Sequence, residues 1–145
     1  MARTIALGLA ALLALAAGDA AAEISGNVVR IGVLNDQSGP YADQTGAGSV
    51  LAARMAVEDF GEVAPGVRVE VVFADHQNKP DVAAEIARRW TDAEGVDALA
   101  DVGPSSVALP VSEVARARDK ALLVSGAGTA RLTGEACSPT TVHWT

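Results

Sequence analysis

Three polar stretches hold residue types that could bind a small anion such as a carboxylate. Gly103-Pro104-Ser105-Ser106 runs straight into a helical pattern in which Val107, Val111 and Val114 share a face. The first amides of a helix have no internal partner and carry the positive end of its dipole, so they favour a carboxylate. Ser106 also suits the N-cap, a role in which its hydroxyl would serve the helix itself. Ser105, one residue further out, is the better candidate for touching a ligand. Ser125-Gly126-Ala127-Gly128-Thr129 is the second stretch. Its glycines let a ligand approach the backbone and Thr129 adds a hydroxyl; a plain flexible turn is the competing reading. The third stretch, Asp36-Gln37-Ser38-Gly39-Pro40-Tyr41-Ala42-Asp43, contains the chain's one tyrosine. Tyr41 is placed either as an aromatic wall over a ligand or as a loop residue packed on its neighbours. Asp36 fits a turn with Ser38 and Gly39.

The elements that must position these stretches alternate strand and helix. Val28 to Asn35 is apolar apart from Arg30, as in a strand buried on both faces. Thr45 to Phe60 places Val50, Ala53, Val57 and Phe60 on one helical face, with Gly61 and Pro65-Gly66 turning the chain. Val67 to Ala74 reads as a second strand and Asp75 to Lys79 as a polar loop. Pro80 opens a second helix, lined by Val82, Ile86, Ala87, Trp90 and Ala93 and stopped by Gly95. Ala98 to Val102 and Ala121 to Val124 are further strands, and Thr141 to Thr145 reads as the middle of a last one. The expected fold is α/β: a parallel sheet with helices on both faces, because helical crossovers between strands imply parallel pairing. Right-handed crossovers bring the loops 36–44, 75–79, 103–106 and 125–130 to one sheet edge, where open α/β sheets bind ligands.

Residues 1–22 read as a cleaved secretory leader. Arg3 supplies the positive start, Ile5 to Ala17 an apolar run too short to span a bilayer comfortably, and Ala20-Ala21-Ala22 the small residues before a mature start near Glu23. No cysteine follows the apolar run, so the expected location is periplasmic, without a lipid anchor. The formal net charge is -7, with no cluster of Lys and Arg, which argues against nucleic acid or an anionic membrane surface as partner. Cys137 is the only cysteine, either buried and inert or paired with a cysteine outside this sequence. Enzyme signals are weak. No glycine-rich phosphate cradle and no G-x-S-x-G elbow is present. His76 and His143 lack ligand-like spacing to each other or to Cys137, so neither a metal nor a cofactor is expected.

The order of these pieces resembles the front of a type I periplasmic substrate-binding protein of ABC transporters, in the branched-chain amino acid (Leu/Ile/Val) receptor family. The resemblance covers residues 28–145. It is carried by Ile31-Gly32-Val33-Leu34, Ser38-Gly39-Pro40, Gly46, Ala52-Ala53 through Ala56-Val57, Asp75, Pro80 with Ala83-Ala84, Ser105-Ser106, and Ser125 to Thr129 with Leu132-Thr133. It implies two α/β lobes closing on a small ligand, with residues 23–145 as part of the first lobe and the second lobe lying beyond. It also implies that Ser105 with Ser106, and the turn of Ala127, Gly128 and Thr129, hold a ligand's α-carboxylate and ammonium.

Two departures stand out. Gly126 and Gly128 replace bulkier residues frequent in that turn, and Asp36-Gln37 and Tyr41 differ from the usual amino acid receptors. Another small carboxylate, an aromatic acid, an amide or urea therefore stays open as ligand. The expected partners are that small molecule and a membrane permease, with the receptor itself monomeric and non-catalytic. A sensory receptor domain of the same fold is the nearest alternative, and an exported α/β hydrolase the more distant one.

Overall fold

The computed structural model describes residues 27–145. The expected leader and its cleavage point lie outside the described residues. Strand β1 (Val28–Asn35) leads through helix α1 (Gly46–Phe60) to β2 (Arg68–Asp75), then through α2 (Pro80–Asp92) to β3 (Ala98–Ala100). Helix α3 (Ser105–Ala117) connects β3 to β4 (Ala121–Val124), and a 3-10 turn (Ala130–Leu132) precedes β5 (Thr141–His143). All pairings are parallel and the order across the sheet is β2-β1-β3-β4-β5. The expected parallel α/β sheet is present.

Strand residues alternate between the two faces. Val72, Gly32, Leu99 and Leu122 stand side by side in register on one face, against α2 and α3. There the helices bury Ala83, Ala84, Ile86, Ala87 and Trp90 of α2 and Val107, Ala108, Val111, Val114 and Ala115 of α3. The small residues bring the helices close, and one large ring fills the space left over Gly32. A Cβ on Gly32 would lie 2.6 Å from Trp90 Cε3 and Cζ3, so only glycine lets the indole lie on the strand. Ala93, expected on the same helical face, is the exposed C-cap of α2.

The opposite face carries α1, which lies over β1 and β2 with the Arg54 guanidinium 5.2 Å from the centre of the Phe73 ring. The four residues expected on one face of α1 share it, but their cover runs out towards its end. Val50 is buried and Ala53 and Val57 are half-buried, but Phe60 is 68% exposed. Phe60 is the last residue of α1 and sits at the rim of an open apolar groove with Val57, Val63, Val69 and Val71, so the helical period continues past its cover.

One boundary and one burial differ from expectation. β3 ends at Ala100 because the backbone turns at Asp101 (φ 58), which takes Val102 out of the ladder. Cys137 is exposed and free, which removes the buried reading of that residue. Among the described residues no helix is long and apolar enough to cross a membrane.

Candidate functional site

From β1 the chain crosses to β2 on one side; from β3 it crosses to β4 on the other. The loops leaving β1 and β3 therefore part, and a crevice opens between the carboxyl ends of the two strands. A cavity of about 690 Å³ occupies it. Its walls are Tyr41, Gln44 and Thr45 after β1, Asp101 and Gly103 to Ser106 after β3, and Ser125, Gly126 and Gly128 after β4. The fourth loop expected at this edge, after β2, does not line the cavity. β2 is the outer strand beyond β1, so its loop reaches the site only by bracing the first one.

One wall is the start of α3. Pro104 takes the N-cap position in an extended conformation, and its carbonyl accepts from both Val107 and Ala108 amides, at 2.9 and 2.8 Å. Ser106 is thus inside the first turn and caps nothing, contrary to the N-cap reading. Proline has no N–H to offer. The amides of Ser105 and Ser106 are left without an acceptor among the described residues. Their hydroxyls are likewise unbonded to protein. The result is a concave surface of two amides and two hydroxyls at the positive end of a 13-residue helix, with no Lys or Arg among the residues that line the cavity. Such a surface can neutralise a carboxylate through hydrogen bonds alone.

Two acids, Asp36 and Asp75, hold the loops in place. Asp36, fully buried, accepts from the Gly39 amide at 2.7 Å and the Tyr41 amide at 2.9 Å, which fixes the turn that presents Tyr41. Asp75, at the end of β2, accepts from the Gln37 and Gln77 amides and the Ser38 hydroxyl at 2.9, 2.8 and 2.5 Å. Burial pushes the Asp75 carboxyl up, but those three donors outweigh it and hold the group below its ordinary 3.8. Its contribution to stability is therefore complete above pH 3.8 and is lost as pH falls through the lower value of the folded state. Asp75→Asn is expected to cost about 1–2 kcal/mol at neutral pH. In urea titrations across pH the deficit should shrink below pH 3.8, where the wild-type group protonates too.

His76 is fully buried beside these acids. Its Nδ1 accepts from the Asn78 amide at 3.0 Å, which leaves the ring proton on Nε2. Burial lowers its proton affinity more than Asp36, Asp75 and Asp101 together raise it, so the ring stays neutral. Among the described residues no group of His, Cys, Asp and Glu is arranged to hold a metal ion.

Of the residues singled out from sequence, Ser105, Ser106, Gly128 and Tyr41 come together in the cavity. Ala127 and Thr129 do not line it. Ala127 is fully buried, and its carbonyl turns towards β5, accepting from the Thr145 hydroxyl at 2.6 Å and contacting His143 Nε2. Thr129 Oγ1 accepts from the Arg131 amide and starts the 3-10 turn. The two glycines of that loop differ in kind. A Cβ on Gly126 would come within 3.2 Å of Gly103 Cα, so this glycine lets two loops touch, whereas a Cβ on Gly128 meets nothing within 4 Å. Asp101, Gln44 and Thr45 were not singled out from the sequence. The available sign for Asp101 is a charge inside the apolar run Ala98-Leu99-Ala100-Asp101-Val102, since a buried parallel strand does not keep an unpaired carboxylate.

Residues 28–145 match the sequence profile of the family described as periplasmic binding protein. The chain belongs to that family. Solved periplasmic binding proteins share the fold. One from Burkholderia mallei is 47% identical with a TM-score of 0.77, over 81% of this chain and 32% of that one. A branched-chain amino acid ABC transporter periplasmic ligand-binding protein from Burkholderia xenovorans is 42% identical with a TM-score of 0.73, over 77% of this chain and 30% of that one. A solute-binding protein of an ABC transporter from R. palustris, in complex with benzoate, is 25% identical with a TM-score of 0.67, over 79% and 31%. No curated protein matches the chain. The chain spans about a third of the length of these structures. The first is named a periplasmic binding protein and the other two are ligand- or solute-binding proteins of ABC transporters; the family implies an extracytoplasmic location.

Proposed function

We propose that this chain forms most of the first ligand-binding lobe of a periplasmic solute receptor for an ABC importer. The cavity between β1 and β3 takes the carboxylate end of a small molecule, an amino acid or an aromatic acid. The observation that carries this reading is the pair of free amides at Ser105 and Ser106, which face a cavity without cations. Ser105 and Ser106 hold the carboxylate, Gly128 leaves the backbone open to approach, and Tyr41 covers the bound skeleton. Ala127 and Thr129 act behind this surface, by fixing the loop after β4. A second lobe, supplied by the length that the related structures have beyond this chain, closes over the ligand and presents the closed form to a membrane permease. The leader at residues 1–22 is removed on export, and the receptor works as a monomer.

The related proteins support an acid ligand in two ways: one carries branched-chain amino acid in its name and another is in complex with benzoate. The test is a thermal-shift screen of the mature protein against amino acids, aliphatic and aromatic carboxylates, amides and urea. A ligand that binds only the native state raises the melting midpoint by mass action. A rise confined to carboxylate-bearing compounds, recovered unchanged afterwards, is the expected outcome. Stabilisation by urea or amides alone, or consumption of the compound, would contradict it.

A further inference from the structure

The cavity contains a group that a receptor for plain acids would be expected to avoid. Asp101 is the one charged side chain among the residues that line it. Its carboxylate is held on both oxygens by neutral donors: the Ser125 hydroxyl reaches Oδ1 at 2.5 Å, and Asn35 Nδ2 reaches Oδ2 at 3.0 Å. Asn35 is fully buried, and its amide cannot flip, because the second Nδ2 hydrogen goes to the Gly46 carbonyl at 2.9 Å. The backbone of Asp101 sits at φ 58, a conformation that few residues other than glycine, asparagine and aspartate accept readily. Position and orientation of the carboxylate are therefore fixed before any ligand arrives. Among the described residues no Lys, Arg or His makes an ion pair with it. Two neutral hydrogen bonds orient the charge but do not cancel it, and each oxygen keeps capacity to accept a further hydrogen bond.

The wall opposite in character is the start of α3, with its free Ser105 and Ser106 amides. One cavity thus presents a carboxylate-binding surface and a fixed carboxylate. A molecule with only a carboxylate gains at the first and is repelled by the second; one that also carries a protonated nitrogen gains at both. We propose that Asp101 is a specificity-determining residue that receives a protonated nitrogen of the ligand, so that the receptor selects zwitterions over simple carboxylic acids. This deepens the solute-receptor reading and rests on it.

The test is calorimetric titration of the mature protein with acids paired to differ only in a protonated nitrogen. The pairs are L-leucine with 4-methylpentanoate, L-phenylalanine with 3-phenylpropanoate, and 4-(aminomethyl)benzoate with 4-methylbenzoate. They are run on wild type, Asp101→Asn and Asp101→Gly. Asparagine and glycine both tolerate the positive φ, so at least one variant keeps the backbone, and melting without ligand checks this. In at least one pair the wild type should prefer the nitrogen-bearing member by about 10–100-fold, the range of a charge-assisted hydrogen bond. Both variants should reduce that preference to within about threefold, by weakening the nitrogen-bearing member and relieving the repulsion of the plain acid. A preference that survives in both variants overturns the assignment. So does a wild type that binds each plain acid as tightly as its partner, a result that leaves the carboxylate receptor standing. If no member of any pair binds, the carboxylate-receptor reading itself falls, and the role of Asp101 with it.

Discussion

Trp90→Ala is expected to lower the stability of this lobe by about 3–5 kcal/mol, the largest effect of any single truncation in its core. Trp90 is 3% exposed, lies on the Gly32 backbone, and is the one large ring among the alanines and valines that pack α2 and α3 on the sheet. The void can close only in part, because the surrounding side chains are held on regular elements. Gly32→Ala attacks the same contact from the other side and should cost about 1–3 kcal/mol, since its Cβ would displace a rigid indole. In the double variant the new methyl enters the vacated space, so the two losses should sum to less than their parts. Urea unfolding with an unchanged slope is the measurement; a double variant as unstable as the sum would show that the two residues do not share a contact.

Ser105→Pro should leave the fold intact and lower affinity for a carboxylate ligand by about 10–100-fold. Proline is well tolerated at the first position of a helix. The residue before it must be extended, and Pro104 already is, at φ −66 and ψ 143. The Ser105 amide has no acceptor among the described residues, so the substitution breaks no bond of the protein. What it removes is one free N–H and one hydroxyl at the cavity wall. Ser105→Ala separates the two, since it keeps the amide and loses only the hydroxyl. Calorimetric titration should give a small loss for alanine and a large one for proline. Equal losses would assign the contact to the hydroxyl rather than the helix terminus.

Local pattern made much of this architecture legible. β1 announced itself by an apolar run interrupted only at Arg30, α2 by its period and by Pro80, and the convergence of loops by strand–helix alternation. Where the reading failed, the deciding contact was distant in sequence. Phe60 keeps the period of α1 but projects past the part of the sheet that covers the helix. Ser106 has the chemistry of an N-cap, yet Pro104 occupies that position and supplies the carbonyl that the first turn uses. Ala127 and Thr129 stand in the right loop, but the pairing of β4 with β5 draws the Ala127 carbonyl towards His143 and Thr145 and away from the cavity. Asp101 was hidden for a related reason. Its role depends on Asn35 and Ser125, which lie 66 and 24 residues away.

In the proposed receptor the Ser105 and Ser106 amides receive the ligand's carboxylate. The most direct measurement is the amide proton shifts of the mature protein while a carboxylate found in the thermal screen is titrated in. A new charge-assisted hydrogen bond deshields its donor. The Ser105 and Ser106 amide protons are expected to move downfield together, saturate with the binding curve, and shift more than those of the Gly39 and Tyr41 amides, which Asp36 already occupies. Binding that leaves the Ser105 and Ser106 amides unmoved would contradict it and place the carboxylate elsewhere in the receptor.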